Sequence, residues 1–248
     1  MSFIFKVASR YFFSKSNQTV VNRINNLAVL VVLVATASLM IVLSAFSGLK
    51  EFGLSFSNVF DPDLRVLPLK GKKITIDSII INQLKEVKSI ESFSPILEEK
   101  VFLTFNEKSQ VAYLKGVYPG YLSVFKIDSL VAIGEWLSPE LDGVVAGYGI
   151  ASSMGLGVYD YSNFINVSVP KKKLKKTLGK SFLSSKKAVT TGIYQINEDL
   201  DKKYIFCNIS FARSLLEYPV NVFSSLEIKA KPNTSYDKIK RDIKKIFN

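Results

Sequence analysis

The residues of this chain best placed to do chemistry are lysines, which crowd into the segment Lys171 to Lys187. Ammonium groups packed together with no carboxylate among them repel one another, so such a segment favours an anionic partner. We interpret it as a candidate docking loop for an acidic protein surface or for anionic lipid; a solvated loop without a partner is the alternative. Its first six lysines are Lys171, Lys172, Lys173, Lys175, Lys176 and Lys180.

Side chains that usually perform catalysis or bind metals are scarce. The chain has no histidine and a single cysteine, Cys207, which argues against Ser-His-Asp and Cys-His catalysis, most zinc sites and an intrachain disulfide. Gly179-Lys180-Ser181 resembles the end of a P-loop, but Leu174 stands where that motif needs its first glycine. Glu98 and Glu99 are neighbours in a strand-like run, so their side chains should point to opposite faces. We therefore predict a protein that is not an enzyme and has no cofactor or metal of its own.

The formal net charge of +12 would be compatible with a protein that binds nucleic acid. Proteins that bind single strands interleave basic residues with aromatic ones on which the bases stack. No aromatic residue lies within the run Lys171 to Lys176. We predict no nucleic-acid partner.

An uncharged stretch, Ile24 to Leu49, predicts one helix that crosses a membrane. Its core is almost continuously apolar over about 20 residues, which matches the hydrocarbon thickness of a bilayer. The preceding flank contains only basic charges, and such flanks stay in the cytoplasm. We expect a cytoplasmic amphipathic segment over residues 1–23, a transmembrane helix over 24–49 and a domain outside the inner membrane over 50–248. A cleaved signal peptide is the alternative, but the apolar core is longer than signal peptides usually have.

Both ends of the domain predict strands joined to amphipathic helices. A strand at Asp61 to Leu69 precedes a helix that Thr75 or Asp77 caps, and a hairpin around the polar turn Asn106 to Gln110 follows. Near the C-terminus, an alternating strand at Ser224 to Lys231 is followed by a helix from Tyr236 to Ile246. No closing strand follows that helix. We therefore expect a truncated C-terminal end and an unpaired sheet edge near Ile228.

The middle of the domain predicts short strands and short helices. A helix that glycines end lies within Gly149 to Gly157, and Ser210 is expected to cap a helix that ends at Leu216. The predicted strands are Ile165 to Val169, Val189 to Tyr194 and Tyr204 to Cys207. We predict an α+β fold in which the two ends, about 60–118 and 220–248, form an α/β lobe, with a β-rich lobe inserted over about 119–219.

Four segments in this order resemble the FtsX/MacB-type ABC transporter permeases, in particular their lipoprotein-releasing, Lol-type branch. They are Val87 to Pro95, Tyr113 to Pro119 with its Gly-Val-Tyr-Pro end, Val144 to Asp160, and Thr191 to Tyr194 with its Gly-Ile-Tyr end. The third segment has Tyr159 where the family usually has a glycine before the aspartate. Together with the single N-terminal span, the resemblance covers nearly the whole chain.

The resemblance implies a permease without its own ATPase site. It would work with a cytoplasmic ABC ATPase that uses the ATP, with a second permease copy or paralogue, and with a periplasmic lipoprotein carrier. Its domain over 50–248 would be a MacB-like periplasmic core domain, with a porter-like lobe formed by the two ends. In the family three more spans normally follow, so this chain would be the N-terminal portion of a permease: a fragment, a truncated gene product or the first half of a split permease.

The resemblance also gives the lysine-rich segment a role. Lol-type members have a hairpin in the inserted lobe that hooks the carrier, and by position that hairpin would be Lys171 to Lys187. The family hook contains proline, whereas this segment contains none. Three other functions remain open at this point: an efflux permease for small amphiphiles or peptides, an FtsX-like coupling protein that regulates a cell-wall hydrolase, and a stand-alone anchored binding module.

Overall fold

The computed structural model describes residues 3–13, 19–60, 62–121, 130–171, 182–232 and 234–247. The chain divides into two compact units, Met1–Ser55 and Phe56–Asn248.

The first unit is helical. Helix α1 spans Phe3–Phe13, and helix α2 begins at Thr19 and ends at Phe60. Within α2, the stretch Asn22–Phe52 is long and apolar enough to cross a membrane. The Thr36 hydroxyl donates to the carbonyl oxygen of Val32 at 2.8 Å, which satisfies a polar group inside the apolar stretch. The predicted helix is present and longer at both ends than the 24–49 expected from the sequence.

The second unit is a mixed sheet with helices, which confirms the predicted α+β fold class. Its described helices are α3 (Ser78–Glu86), α4 (Tyr148–Met154), α5 (Glu198–Asp201), α6 (Ile209–Leu216) and α7 (Tyr236–Ile246). Its described strands are β1 (Leu64–Val66), β2 (Ile74–Thr75), β3 (Ile90–Phe105), β4 (Lys108–Val117), β5 (Val131–Gly134), β6 (Gly143–Gly147), β7 (Ile165–Pro170), β8 (Leu183–Tyr194), β9 (Tyr204–Asn208), β10 (Val222–Phe223) and β11 (Ser225–Ala230).

Nine of these strands form one sheet in the order β1-β11-β3-β4-β9-β6-β8-β5, and β7 pairs with both β3 and β8. The pairings β3-β4-β9-β6-β8-β7 therefore return to β3 and close a ring of six strands. The pairs β4–β9 and β6–β8 are parallel, and the other pairs are antiparallel. Strands from both predicted lobes share this sheet, so the division into two lobes stays a prediction.

The predicted edge at Ile228 was wrong. Strand β11 pairs with β1 on one side and β3 on the other, so that Ile228 lies opposite both Leu64 and Phe93. The short strand β1, which comes directly after α2 in the chain, closes the edge that we expected a later strand to close.

Local capping signals were correct at α3 and wrong at α6. The Asp77 carboxylate accepts a hydrogen bond from the Ile80 N–H at 2.9 Å, as expected for an N-cap. Helix α6 begins one residue before Ser210, and Asn208 is its N-cap residue. The Asn208 amide donates instead to the carbonyl oxygen of Ser138 at 2.6 Å, which ties the loop before β6 to the start of α6.

The core lies in two clusters. The larger one joins α3, α6 and α7 to the sheet, and in it Phe211, Ala212 and Leu215 of α6 are buried against the strands. The smaller cluster is aromatic and contains Tyr121, Tyr194 and Phe206, with Trp136 packed against it. Rings in this cluster pack at an angle to one another, with centroids 5.1 Å apart for Trp136 and Phe206.

Candidate functional site

The structure places the ends of the lysine-rich segment on an antiparallel strand pair. Pro170, the last residue of β7, lies opposite Leu183, the first of β8, and the Lys171 N–H donates to the Phe182 carbonyl at 2.9 Å. The chain therefore returns along itself after this segment, as a hairpin must. Lys172, Lys173, Lys175, Lys176 and Lys180 lie outside the described residues.

At the far end of the segment, Lys186 has partners within the fold. Its Nζ is 3.5 Å from Asp142 Oδ2 and 4.6 Å from the centre of the Phe211 ring. Lys187 is exposed. Lys186 is thus engaged within the unit rather than presented to a partner.

A groove of about 670 Å³ lies where this hairpin leaves the sheet. Its walls come from the β1–β2 loop, the middle of β3, the facing ends of β7 and β8, and the end of α6 with the turn that follows. We call it the basic groove, because four lysines and two glutamates line it: Lys72, Lys73, Lys100, Lys171, Glu99 and Glu217. Lys171, the one predicted site residue within the described part of the chain, lines this groove.

Contacts hold two of these lysines in place. Lys72 Nζ is 3.0 Å from Glu99 Oε1, and this hydrogen bond raises the pKa of Lys72. Lys73 Nζ lies 3.9 Å from the centre of the Tyr218 ring, within the range of a cation–π contact. Burial raises the pKa of the Tyr218 phenol, and the positive charge of Lys73 opposes that effect.

The floor of the basic groove is apolar. Val169, Leu215 and Leu216 are buried there, whereas the Phe102 side chain is 48% exposed. Glu217 has a left-handed backbone, with φ of 53°, and ends α6; the Tyr218 N–H then bonds the Arg213 carbonyl at 3.2 Å. That turn brings Tyr218 back beside Lys73.

Sequence reasoning missed the basic groove. Lys72 and Lys73 are about a hundred residues from Lys171 in the chain. The contact of Lys72 with Glu99 on β3 and the pairing of β3 with β7 bring those regions together. The sequence contained one signal, the cluster Lys70-Gly71-Lys72-Lys73. This cluster indicates a local positive charge but not which part of the fold it contacts.

Glu98 and Glu99 have different partners, as expected for neighbours in a strand. Glu98 pairs with Arg65, whereas Glu99 pairs with Lys72. Arg65 also lies 3.8 Å from Glu227, which connects Glu98 to a buried ionic cluster.

That cluster consists of Lys115, Glu227 and Tyr121. Lys115 Nζ is 2.9 Å from Glu227 Oε1, and the Tyr121 hydroxyl donates to Glu227 Oε2 at 2.8 Å. Burial lowers the pKa of Lys115 and raises that of Tyr121. All three side chains are at most 3% exposed, so this cluster cannot meet a substrate and holds β11, β4 and the following turn together.

Neither metal nor thiol chemistry has a visible basis in the described residues. No group of three His, Cys, Asp or Glu side chains lies close enough to hold a metal ion in that part of the chain. Cys207 is fully buried, and burial raises the pKa of its thiol far above the ordinary range. A neutral, inaccessible thiol is a poor nucleophile.

Three solved structures are similar to this chain at low sequence identity. The extracellular domain of the noncanonic ABC-type transporter YknZ from Gram-positive bacteria is 16% identical, with a TM-score of 0.47 over 75% of this chain and 93% of that one. The periplasmic region of MacB from Actinobacillus actinomycetemcomitans is 14% identical, with a TM-score of 0.47 over 70% and 73%. A domain of a putative permease protein from Porphyromonas gingivalis is 12% identical, with a TM-score of 0.45 over 73% of each chain.

A family model decides the assignment. No curated protein matches the chain. The model of the MacB-like periplasmic core domain matches residues 27–246, which include most of the apolar helix and nearly all of the second unit. The chain therefore belongs to the MacB-like periplasmic core domain family, the extracytoplasmic domain type of MacB/FtsX-like ABC transporter permeases.

Proposed function

We propose that this chain is the N-terminal portion of a permease subunit that releases lipoproteins from the inner membrane toward a periplasmic carrier. The observation that carries the proposal is the family match over residues 27–246, which begins inside a helix apolar enough to span a bilayer. The four segments that resemble the Lol-type branch favour it over other branches of the family. The first of them is Val87 to Pro95 and the last is Thr191 to Tyr194.

In this proposal the chain performs no bond chemistry. A separate cytoplasmic ABC ATPase hydrolyses ATP, and a second permease copy or paralogue completes the transporter. The N-terminus lies in the cytoplasm, where its basic flank stays, and the second unit lies in the periplasm.

The lysine-rich hairpin is proposed to dock the carrier. Excess positive charge attracts an acidic surface, raises the rate of association and makes that rate depend on salt. The antiparallel ends of β7 and β8 support a hairpin in this position.

The test is lipoprotein release in proteoliposomes that contain the whole transporter and its ATPase, with a soluble carrier outside. Lys172, Lys173, Lys175 and Lys176 are changed together to Gln. We expect release to slow at low salt and to lose most of its salt dependence. The matched control changes four lysines of α7, Lys238, Lys240, Lys244 and Lys245, to Gln. Release that is unchanged by the first set, or slowed equally by both, contradicts the docking role; no ATP-dependent release by the unaltered transporter contradicts the function itself.

Efflux of small amphiphiles is the second candidate, and the basic groove is the observation that favours it. A groove with an apolar floor and a cationic rim suits a molecule that has an apolar part and an anionic part. ATP-dependent export of such a molecule by the same proteoliposomes, without lipoprotein release, would favour this function.

A further inference from the structure

The charges of the basic groove are not balanced. Four lysines against two glutamates leave two positive charges among the lining residues. Glu99 is already engaged by Lys72. Lys73 faces a ring rather than a carboxylate, and within the part of the chain that the structure describes no ion pair involves Lys100. The unmatched charge favours a ligand with a negative group.

The same groove exposes apolar surface beside those charges. Phe102 is 48% exposed, although it lies next to a floor of buried Val169 and Leu215. Covering an exposed aromatic side chain with apolar atoms of a ligand is favourable, because it removes apolar area from water. An inorganic anion cannot cover the exposed aromatic ring, and a purely apolar molecule cannot form ion pairs with the lysines.

Two of the contacts place lysine ammonium groups at the edge of the groove. Lys72 pairs with Glu99, and Lys73 lies over the Tyr218 ring. A volume of about 670 Å³ lies within the range that small-molecule sites occupy, roughly 300–1,000 Å³.

From the charge, the apolar floor and the volume, we infer that the basic groove binds a small anionic amphiphile: one phosphate or carboxylate head beside Lys73 and Lys100, and an alkyl tail against Phe102 and Leu215. The inference holds for lipoprotein release and for amphiphile efflux alike. Its test measures binding alone, so its failure and the failure of the proposed function are distinguishable.

The test uses the full chain in lipid nanodiscs of zwitterionic lipid. Ser184 lines the groove, so an environment-sensitive dye on Ser184→Cys reports its occupancy. Cys207 is buried and stays unlabelled. Decyl phosphate, kept below its micelle-forming concentration, is the probe; inorganic phosphate and decyltrimethylammonium are the comparison ligands, and empty nanodiscs correct for partition into lipid.

We expect a saturable response to decyl phosphate and binding at least about tenfold weaker for both comparison ligands. Lys73→Gln and Lys100→Gln should each weaken decyl phosphate binding about three- to fivefold, the range of partly exposed charge pairs. Phe102→Ser should weaken it roughly tenfold, because the alkyl tail loses its apolar contact.

Matched controls lie elsewhere in the unit. Ile133→Ser removes an apolar side chain that is also 48% exposed, and Lys238→Gln removes an exposed lysine on α7. Both should leave binding unchanged. Equal weakening by groove and control variants, equal binding of decyltrimethylammonium, or no saturable response to decyl phosphate each overturns the inference. An acidic peptide that binds in place of decyl phosphate would identify the groove as a peptide site and overturn it as well.

Discussion

At the scale of single residues, the sequence predicts the effect of strand alternation but not contacts between distant residues. The alternation of Glu98 and Glu99 predicted different environments, and the structure gives these glutamates separate partners. The pair Lys115 and Glu227 was invisible, because the two residues are on strands separated by β3 and their contact depends on the register of two pairings.

This buried pair gives a prediction about stability. Removing one partner leaves a buried, uncompensated charge, so Glu227→Leu should lower the free energy of unfolding by about 3–5 kcal/mol. The double variant Lys115→Met, Glu227→Leu removes both charges and should recover most of that loss. Unfolding is measured by the fluorescence of Trp136, the single tryptophan, which packs against the aromatic cluster. A double variant no more stable than Glu227→Leu would contradict this.

Buried phenols and the buried thiol give a prediction about pH. Burial raises the pKa of Tyr121, Tyr194 and Cys207, so the folded state keeps these protons after the unfolded chain has released them. Their stabilising contribution is complete below the unfolded pKa values, about 8.5–10, and is lost as the pH rises above them. Lys115 acts in the opposite direction, because burial lowers its pKa. Above about pH 10.4, the ordinary pKa of lysine, Lys115 is neutral in both the folded and the unfolded state and no longer opposes this loss, so stability should fall there as the pH rises.

Tyr194→Phe should reduce the slope of that fall, whereas Phe in place of the exposed Tyr148 should leave it unchanged. The free energy of unfolding is measured across the alkaline range for each variant. A stability that rises with pH above about pH 10.4 would contradict this prediction.

At the scale of elements, local sequence signals predicted where helices and turns begin and end. They did not predict contacts between elements that are far apart in the chain. The Asp77 cap, the turn before β4 and the glycine that ends α4 all act within a few residues of one another. Ser210 is not the N-cap residue, because α6 begins at Ile209 and Asn208 therefore occupies the N-cap position. The Asn208 side-chain amide donates to the carbonyl oxygen of Ser138 in a distant loop. Gly116 belongs to one of the four segments that carry the family resemblance, but the need for glycine there is visible only in the packing. A Cβ at this position would lie 2.3 Å from the Cβ of Ala212.

Gly116 therefore sets how closely α6 approaches β4. Gly116→Ala should lower the free energy of unfolding by about 1–3 kcal/mol, the usual cost of overpacking. Ala212→Gly in the same chain removes the clashing methyl and should restore part of that loss. Gly157→Ala, at a position where a Cβ meets nothing within 4 Å, is the control. The stabilities of Gly116→Ala, the double variant and Gly157→Ala are compared by thermal unfolding. A double variant less stable than Gly116→Ala alone would refute the close-contact explanation.

At the scale of the whole molecule, the sequence predicted the fold class and the single span but not the order of strands. The ring β3-β4-β9-β6-β8-β7 joins residues far apart in the chain, and hydrophobic alternation contains no information about which strands pair. The same limitation produced the wrong edge at Ile228 and concealed the basic groove, whose walls include the paired strands β3 and β7.

The central claim is that this family domain lies outside the membrane that α2 crosses, and thiol labelling tests it most directly. Cys207 is buried, so an engineered cysteine is the only reactive one. Tyr161→Cys, exposed on the second unit, should react with an impermeant reagent in intact spheroplasts, whereas Phe5→Cys, exposed on α1, should react only after lysis. The reverse pattern, with Tyr161→Cys protected until lysis, would contradict the orientation and the proposed function with it.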